Sequence, residues 1–322
     1  MEQHEYIGID IGGTKSAVLR MEAGGHLVQR EQFATAVGAG GWEETLARIK
    51  TIVAGFLTQR PARAIGISCG GPLDSKRGVI LAPPNLPGWD HVPVVDILHE
   101  TFGLPVFLEN DANAGAVAEW RFGAGKGCRN MIFLTFGTGL GAGLILDGRL
   151  FTGTNDYGGE AGHIRLEADG PIGYHKRGSF EGFCSGTGLA QMMAIELLCL
   201  AEEAGREAML ARYKAPGEVT GRDVVEWALA GDLLALKVVE TSGCYLGKGL
   251  ALLIDLLNPE LILIGSMGVR LGELLLAPAR RIIAAEALPG AAAVCHIVPA
   301  ALGEKIGDFA ALCVALKAEE RM

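Results

Sequence analysis

Residues 10–15 read Asp-Ile-Gly-Gly-Thr-Lys (DIGGTK) and join two apolar stretches, residues 6–10 and 15–21, that predict β-strands. Glycines lack a Cβ, so their backbone amides can approach an anion closely, and Thr14 adds a hydroxyl donor. Asp10 is placed to hold Mg²⁺ through water. The pattern predicts either a simple hairpin turn or a turn that binds phosphate.

A second glycine-rich stretch, TFGTGLGAG at residues 135–143, again lies between apolar stretches. Gly137, Gly139 and Ala142 formally fit the dinucleotide-binding pattern GxGxxG/A. That pattern must open a helix, whereas here a strand-like stretch follows, which we place at residues 143–146. The chain has no GxxxxGK[ST] stretch, which excludes a P-loop. Two such strand–turn–strand units favour phosphate binding over unrelated hairpins.

A third turn, Gly265-Ser266-Met267-Gly268, follows an apolar strand predicted at residues 261–264. It is consistent with a turn that supports an adenosine or with a tight strand-to-helix turn. The helix-rich stretch before it, residues 180–258, and the helix-then-strand pattern earlier in the chain indicate an α/β protein.

The segment Glu109-Asn110-Asp111-Ala112-Asn113 follows one predicted strand and opens a predicted helix, residues 111–120. Phosphoryl transfer to a hydroxyl needs a carboxylate that orients the hydroxyl and takes its proton, and Asp111 is the candidate. The alternative is that Asn110 or Asp111 only caps the helix. Further polar candidates for a substrate rich in hydroxyl groups are Asn85, Glu160, His163 and Glu181.

Composition narrows the class of protein. The chain has 322 residues, which suits two domains with a cleft between them, and its net charge of -9 argues against a nucleic-acid partner. No secretory signal precedes the first strand, so we expect a cytoplasmic protein. The apolar stretch 233–257 carries four charged residues and predicts a buried helix, not a membrane span. The seven cysteines are scattered without a CxxC pair, so no disulfide framework is expected.

The motifs, in their order, resemble the ROK family (repressor, open reading frame, kinase) within the actin-like ATPase superfamily of sugar kinases. The resemblance covers nearly the whole chain and is carried by DIGGTK, ENDANAGAVAEW (109–120), TFGTGLGAG, GGEAGH (158–163) and LILIGSMG (261–268). It implies a two-lobed α/β actin-like ATPase (ribonuclease H-like) fold with an interdomain cleft. We expect a small N-terminal lobe of residues 1–116 plus 304–322 and a larger lobe of residues 117–303.

The resemblance also implies ATP-dependent phosphorylation of a hexose, most simply glucose, in a homo-oligomer with a dimer favoured. N-acetylmannosamine, N-acetylglucosamine or fructose is the alternative substrate, and a non-catalytic sugar-sensing module is a second alternative. Repressors of the family carry a DNA-binding helix-turn-helix ahead of this core, whereas here the first strand begins at Tyr6, so we expect a kinase.

The resemblance assigns a role to each candidate residue. Asp111 is the catalytic base, and the residues implied to contact the sugar are Asn85, Asn110, Asp111, Glu160, His163 and Glu181. Those implied to hold ATP and Mg²⁺ are Asp10, Gly12, Gly13, Thr14, Lys15, Gly137, Thr138, Gly139, Gly265, Ser266 and Gly268, with Asp10 as the Mg²⁺ residue.

One segment departs from the family pattern. Family members commonly carry a zinc-binding CxCGxxGCxE segment, but here residues 172–181 read IGYHKRGSFE, with Ile172, Tyr174 and Ser179 at the cysteine positions. The remaining His163 and His175 cannot form a closed tetrahedral site alone. We therefore expect no structural zinc, which leaves the sugar preference open.

Overall fold

The computed structural model describes residues 4–201 and 210–320. The chain divides into two compact units. The first comprises Met1–Gly127, Leu150–Gly158 and Glu304–Met322, and the second comprises Cys128–Arg149 and Gly159–Gly303.

Two five-stranded sheets of the same design form the framework, and two short two-stranded sheets accompany them. The strands are β1 (Glu5–Ile11), β2 (Lys15–Glu22), β3 (Leu27–Ala34), β4 (Ile65–Cys69), β5 (Leu73–Asp74), β6 (Val79–Ile80), β7 (Val106–Asn110), β8 (Met131–Phe136), β9 (Leu140–Leu146), β10 (Arg149–Phe151), β11 (Ile172–Gly173), β12 (Lys176–Arg177), β13 (Leu261–Ile264) and β14 (His296–Pro299). The orders are β3-β2-β1-β4-β7 and β10-β9-β8-β13-β14. In each sheet an antiparallel hairpin (β1–β2, β8–β9) is followed by parallel pairs (β1–β4–β7, β8–β13–β14). The α/β class predicted from the sequence is confirmed.

Helices pack around these sheets. They are α1 (Gly41–Gln59), α2 (Val94–Phe102), α3 (Asp111–Phe122), α4 (Phe180–Phe183), α5 (Gly186–Ala201), α6 (Gly221–Leu229), α7 (Leu233–Leu257), α8 (Met267–Leu271), α9 (Glu273–Glu286), α10 (Pro289–Ala292), α11 (Ile306–Ala315) and α12 (Lys317–Glu320). No helix within the described residues is long and apolar enough to cross a membrane.

Both faces of the first sheet are covered, as central parallel strands require. On one face, Ile7 and Ile9 pack into a core with residues of α1 such as Ile49. On the other face, Tyr6 joins a smaller core with Ala311 of α11. Strand alternation thus sends neighbouring residues of β1 into two different cores.

Helix α11 packs closely against the first sheet because two strand positions that face it are glycines, which have no side chain. A Cβ on Gly66 of β4 would collide with the backbone of Ala315 in α11. A Cβ on Gly8 of β1 would lie 3.0 Å from the Cβ of Ala311. These glycines let the C-terminal helix lie against the strands that end at the candidate site.

Strand β9 begins earlier than the sequence predicted. The prediction placed the strand at residues 143–146, but it starts at Leu140, and Gly141 pairs with Thr135 across the hairpin. The Thr135 hydroxyl accepts a hydrogen bond from Gly141 N at 2.8 Å, which holds this pairing. The second glycine turn is therefore confined to residues 137–139.

Candidate active site

The first glycine turn is closed by its own backbone and by Thr35. Gly12 N donates to Lys15 O at 3.1 Å, the Thr35 hydroxyl donates to Gly12 O at 2.7 Å, and Thr35 N donates to Thr14 O at 3.1 Å. The side chains of Thr14 and Lys15 remain exposed. Thr35, which sequence reasoning did not select, therefore holds the turn in shape while its exposed edge stays available to a ligand.

The turn also needs glycine because another loop lies against it. A Cβ on Gly13 would stand 2.5 Å from Asn85 O, and a Cβ on Gly70 would stand 3.3 Å from Asn85 Nδ2. Asn85 itself is exposed. The segment of residues 70–93, which includes the hairpin of β5 and β6, thus places Asn85 beside the first glycine turn, and the burial of Trp89 in the core anchors that segment.

Asp10 is the penultimate residue of β1, next to this turn, and is half-buried. Burial, together with the charges of Asp111 and Asp308, raises the pKa of Asp10 to about 7 against the opposing charge of Arg30. A Cβ on Gly307 would lie 2.5 Å from Asp10 Oδ2, so the first turn of α11 packs directly against the carboxylate. The negative charges of Asp111 and Asp308 near Asp10 would favour a cation beside Asp10.

The residues around Asp10 fit Mg²⁺ held through water. Within residues 4–201 and 210–320, no three His, Cys, Asp or Glu side chains come together as direct metal ligands. Mg²⁺ usually keeps several waters and takes only one or two carboxylates. The raised pKa of Asp10 shows that its negative charge is poorly compensated by the protein alone.

Asn110, not Asp111, caps helix α3. Asn110 Oδ1 accepts hydrogen bonds from Ala112 N at 2.9 Å and Asn113 N at 3.3 Å. Asp111 Oδ1 accepts only a local bond from Ala112 N at 2.8 Å. The Asp111 carboxylate keeps an exposed surface, yet the protein packed around it raises its pKa, with the Ala112 amide opposing. The capping alternative thus applies to Asn110 and leaves Asp111 accessible.

A buried network behind Asp111 was missed by sequence reasoning. Glu109 Oε1 accepts hydrogen bonds from Asn110 N and Asn113 Nδ2, each at 3.0 Å. Glu109 Oε2 accepts from Lys317 Nζ at 2.7 Å. Glu109 is 2% exposed, so its charge depends on these partners. The C-terminal Lys317 therefore supports the segment that carries the candidate base.

The second glycine turn is fastened to the start of helix α5. Gly137 N donates to Gly139 O at 3.0 Å, and Gly186 N donates to Gly137 O at 2.8 Å. The Thr187 hydroxyl donates to Thr138 O at 3.0 Å. These bonds fix the carbonyl groups of the turn and leave the turn's exposed side open to a ligand.

Glu181 lies at this same turn. Its Oε2 accepts a hydrogen bond from Leu140 N at 3.0 Å, and a Cβ on Gly139 would stand 2.6 Å from that oxygen. Gly162, between Glu160 and His163, is wedged next to Glu181: its Cβ would lie 3.4 Å from the Glu181 Cβ. The structure thus brings the GGEAGH segment and Glu181 together, with Glu160 and His163 exposed.

The third turn lies beside the second because β8 and β13 are parallel neighbours that end at the same edge. Gly265 N donates to Leu134 O at 2.8 Å, and a Cβ on Gly137 would lie 3.9 Å from Ser266 Oγ. Ser266 has a φ of 51°, a backbone angle that residues other than glycine rarely adopt. Such strained residues cluster at functional sites. A Cβ on Gly268 would stand 2.3 Å from the Ile264 side chain, so this turn also needs its glycine.

The candidate residues form one cluster in each unit. In the first unit they are Asp10, Gly12, Gly13, Thr14, Lys15, Asn85, Asn110 and Asp111. In the second unit they are Gly137, Thr138, Gly139, Glu160, His163, Glu181, Gly265, Ser266 and Gly268. Each cluster contains a glycine turn at the end of a sheet and polar side chains next to it.

Comparisons with known proteins identify the family. The sequence model of the ROK family matches residues 6–318. A glucokinase from Halalkalibacterium halodurans is 34% identical over 319 residues, which cover 95% of this chain and 93% of that protein. A ROK family glucokinase from Streptomyces griseus, solved in complex with glucose and AMPPNP, superimposes with a TM-score of 0.81 at 33% identity, covering 97% of this chain and 99% of that chain.

A regulator is also similar. A xylose repressor from Caldicellulosiruptor bescii is 30% identical over 284 residues, which cover 86% of this chain and 69% of that protein. The family model, the glucokinase relative and the solved glucokinase together span nearly the whole chain, so the protein described here belongs to the ROK family.

Proposed function

We propose that this protein transfers the γ-phosphoryl group of ATP to a hydroxyl of a hexose, with glucose as the preferred acceptor. The observation that carries the proposal is Asp111, an accessible carboxylate of raised pKa that is spared from capping α3 by Asn110. The similarity to two glucokinases, one of them bound to glucose and AMPPNP, supports the choice of substrates.

Asp111 acts as the general base. Its carboxylate accepts the proton of the sugar hydroxyl as the oxygen forms a bond to the γ-phosphorus, and the bond from that phosphorus to the ADP oxygen breaks. A carboxylate of raised pKa accepts a proton more readily, which suits this role. The hydrogen bond that Ala112 N donates to Asp111 Oδ1 orients the carboxylate, and the carboxylate stays negatively charged.

The glycine turns bind the nucleotide through backbone amides. We assign the phosphates to Gly12, Gly13, Thr14, Lys15, Gly137, Thr138 and Gly139, and the adenosine to Gly265, Ser266 and Gly268. A Mg²⁺ ion held through water by Asp10 would neutralise phosphate charge.

Polar side chains bind the sugar hydroxyls. We assign Asn85, Asn110, Asp111, Glu160, His163 and Glu181 to this role. Glu181 already accepts one bond from Leu140 N, so its other oxygen is the one offered to the sugar.

A sugar-sensing module without catalysis is the second candidate, because a xylose repressor shares the same core. N-acetylmannosamine, N-acetylglucosamine and fructose are the alternative acceptors. Sensing requires only the sugar contacts, whereas a kinase also requires Asp111 and the glycine turns.

A coupled assay of ADP release, with ATP and Mg²⁺, over glucose, fructose and the two N-acetylhexosamines tests the proposal. We expect the highest kcat/KM for glucose. Saturable glucose binding in calorimetry without ADP release would support the sensing module, and preference for another sugar would replace glucose as the substrate.

A further inference from the structure

The short hairpin of β11 and β12 has an unusual loop. Tyr174 and His175 form its two residues, with φ values of 41° and 63°. Two-residue hairpin loops need positive φ and normally use Asn or Gly, because bulky side chains are strained there. Such strain persists where the surroundings enforce it, and it concentrates at functional sites. A turn alone would not require Tyr and His at these two positions, so their side chains are expected to have a further role.

The hairpin is fixed to helix α5 and to Glu181. Gln191 Oε1 accepts a hydrogen bond from Ile172 N at 2.9 Å, and Gln191 Nε2 donates to Ile172 O at 2.8 Å. A Cβ on Gly173 would lie 2.8 Å from the Glu181 Cβ. The strand that leads into Tyr174 is thus held directly against the residue assigned to the sugar.

The outgoing strand is fixed to His163. Lys176 Nζ donates to His163 O at 2.7 Å. The Tyr174 ring stands edge-on to the His163 ring, with centroids 6.1 Å apart and planes at 77°. The hairpin therefore ties Tyr174 to the neighbourhood of His163 through both backbone and ring contacts.

Tyr174 is nevertheless 54% exposed to solvent. Ligand sites combine an apolar or aromatic surface with a few polar groups that fix orientation. Glu160, His163 and Glu181 supply polar groups here, and Tyr174 supplies an exposed aromatic surface beside His163.

We propose that Tyr174 is a specificity-determining residue of the sugar site, whose ring packs on the C–H face of the bound hexose. The inference rests on the proposed function, since it takes Glu160, His163 and Glu181 as sugar contacts. Glucose carries its non-anomeric ring substituents equatorially, so the face with the C2 and C4 hydrogens is flat, whereas the axial hydroxyl of mannose or galactose projects from that face. A tyrosine ring packed on that face favours glucose over mannose and galactose.

Three variants test the proposal. Tyr174→Asn removes the ring but suits a positive φ, Tyr174→Phe keeps the ring, and His175→Asn relaxes the same loop while keeping Tyr174. We expect Tyr174→Asn to raise the glucose KM at least about five-fold, with the ATP KM unchanged and the protein no less stable than wild type. Tyr174→Phe and His175→Asn should each stay within about two-fold of wild type.

The same variants also separate the two proposals. A Tyr174→Asn protein with wild-type KM for glucose, and unchanged preference over mannose and galactose, would overturn the role of Tyr174 while leaving the kinase assignment intact. Calorimetry with glucose in the absence of ATP makes the same comparison if turnover is absent. Loss of glucose affinity in Tyr174→Asn alone would then support the sugar contact even though the kinase assignment failed.

Discussion

Asp111 is a residue whose charged form destabilises the folded protein. The protein around its carboxylate raises its pKa, so the folded state disfavours the charge that the proposed reaction needs. Asn and Asp cap helices about equally well, and therefore the sequence could not tell whether Asn110 or Asp111 was the cap. Only the bonds from Ala112 N and Asn113 N to Asn110 Oδ1 separate the two roles.

Asp111→Asn should increase the free energy of unfolding at neutral pH. A carboxyl whose folded pKa lies above its unfolded value destabilises the fold above both values, and this penalty disappears as the pH falls through them. The gain of the variant over wild type should therefore be greatest near pH 7.5 and shrink toward about pH 4. Urea unfolding of both proteins across this range measures it, and a less stable variant at neutral pH would contradict the raised pKa.

Glu160→Gln should weaken sugar use and leave ATP use unchanged. A charged hydrogen bond contributes about 1.5–3 kcal/mol, so the sugar KM should rise by roughly ten-fold or more. Glu226→Gln, an exposed glutamate on α6 outside the candidate cluster, is the matched control. Unaltered sugar kinetics in Glu160→Gln would make Glu160 a surface residue.

The strands and helices that carry the candidate site residues are positioned partly by contacts between residues far apart in the sequence. The strand predicted at residues 261–264 was confirmed as β13, since an isolated apolar run flanked by turn residues is a clear signal. The start of β9 was wrong by three residues because ladder pairing of Gly141 with Thr135 overrides the low strand propensity of glycine. The pairing of Glu109 with Lys317 had no local signal, as 208 residues separate the two.

Lys317→Met should destabilise the first unit by removing the partner of a buried carboxylate. Because Lys317 is 30% exposed, water offsets part of the loss, and we expect about 1–3 kcal/mol. Adding Glu109→Gln should recover part of it, which a double-mutant cycle in urea detects. Arg280→Met, which breaks the exposed pair with Glu273, should leave the free energy of unfolding close to that of wild type. Equal effects of Lys317→Met and Arg280→Met would argue against the network.

The purified protein should contain no stoichiometric zinc. Ile172 and Tyr174 offer no metal ligand of the thiolate kind, and Gln191 binds both backbone groups of Ile172 directly. A zinc-selective chelator that spares Mg²⁺ should leave the melting temperature and the hexose kinase activity unchanged. One tightly bound zinc per chain in elemental analysis would refute this prediction.

The whole molecule repeats one sheet design, with the orders β3-β2-β1-β4-β7 and β10-β9-β8-β13-β14. In each sheet the glycine turn joins the central strand to its antiparallel neighbour, which is why DIGGTK and TFGTGLGAG could be found from the sequence.

Turnover of glucose by Asp111→Asn tests the central claim most directly. The substitution keeps the size of the side chain and its bond from Ala112 N but removes its ability to take a proton. General-base contributions are about 10²–10⁴ in rate, so kcat should fall by at least about 100-fold. Glucose and ATP should still bind in calorimetry. A variant that binds glucose and phosphorylates it at close to the wild-type rate would contradict the assignment of Asp111 as the base and the mechanism built on it.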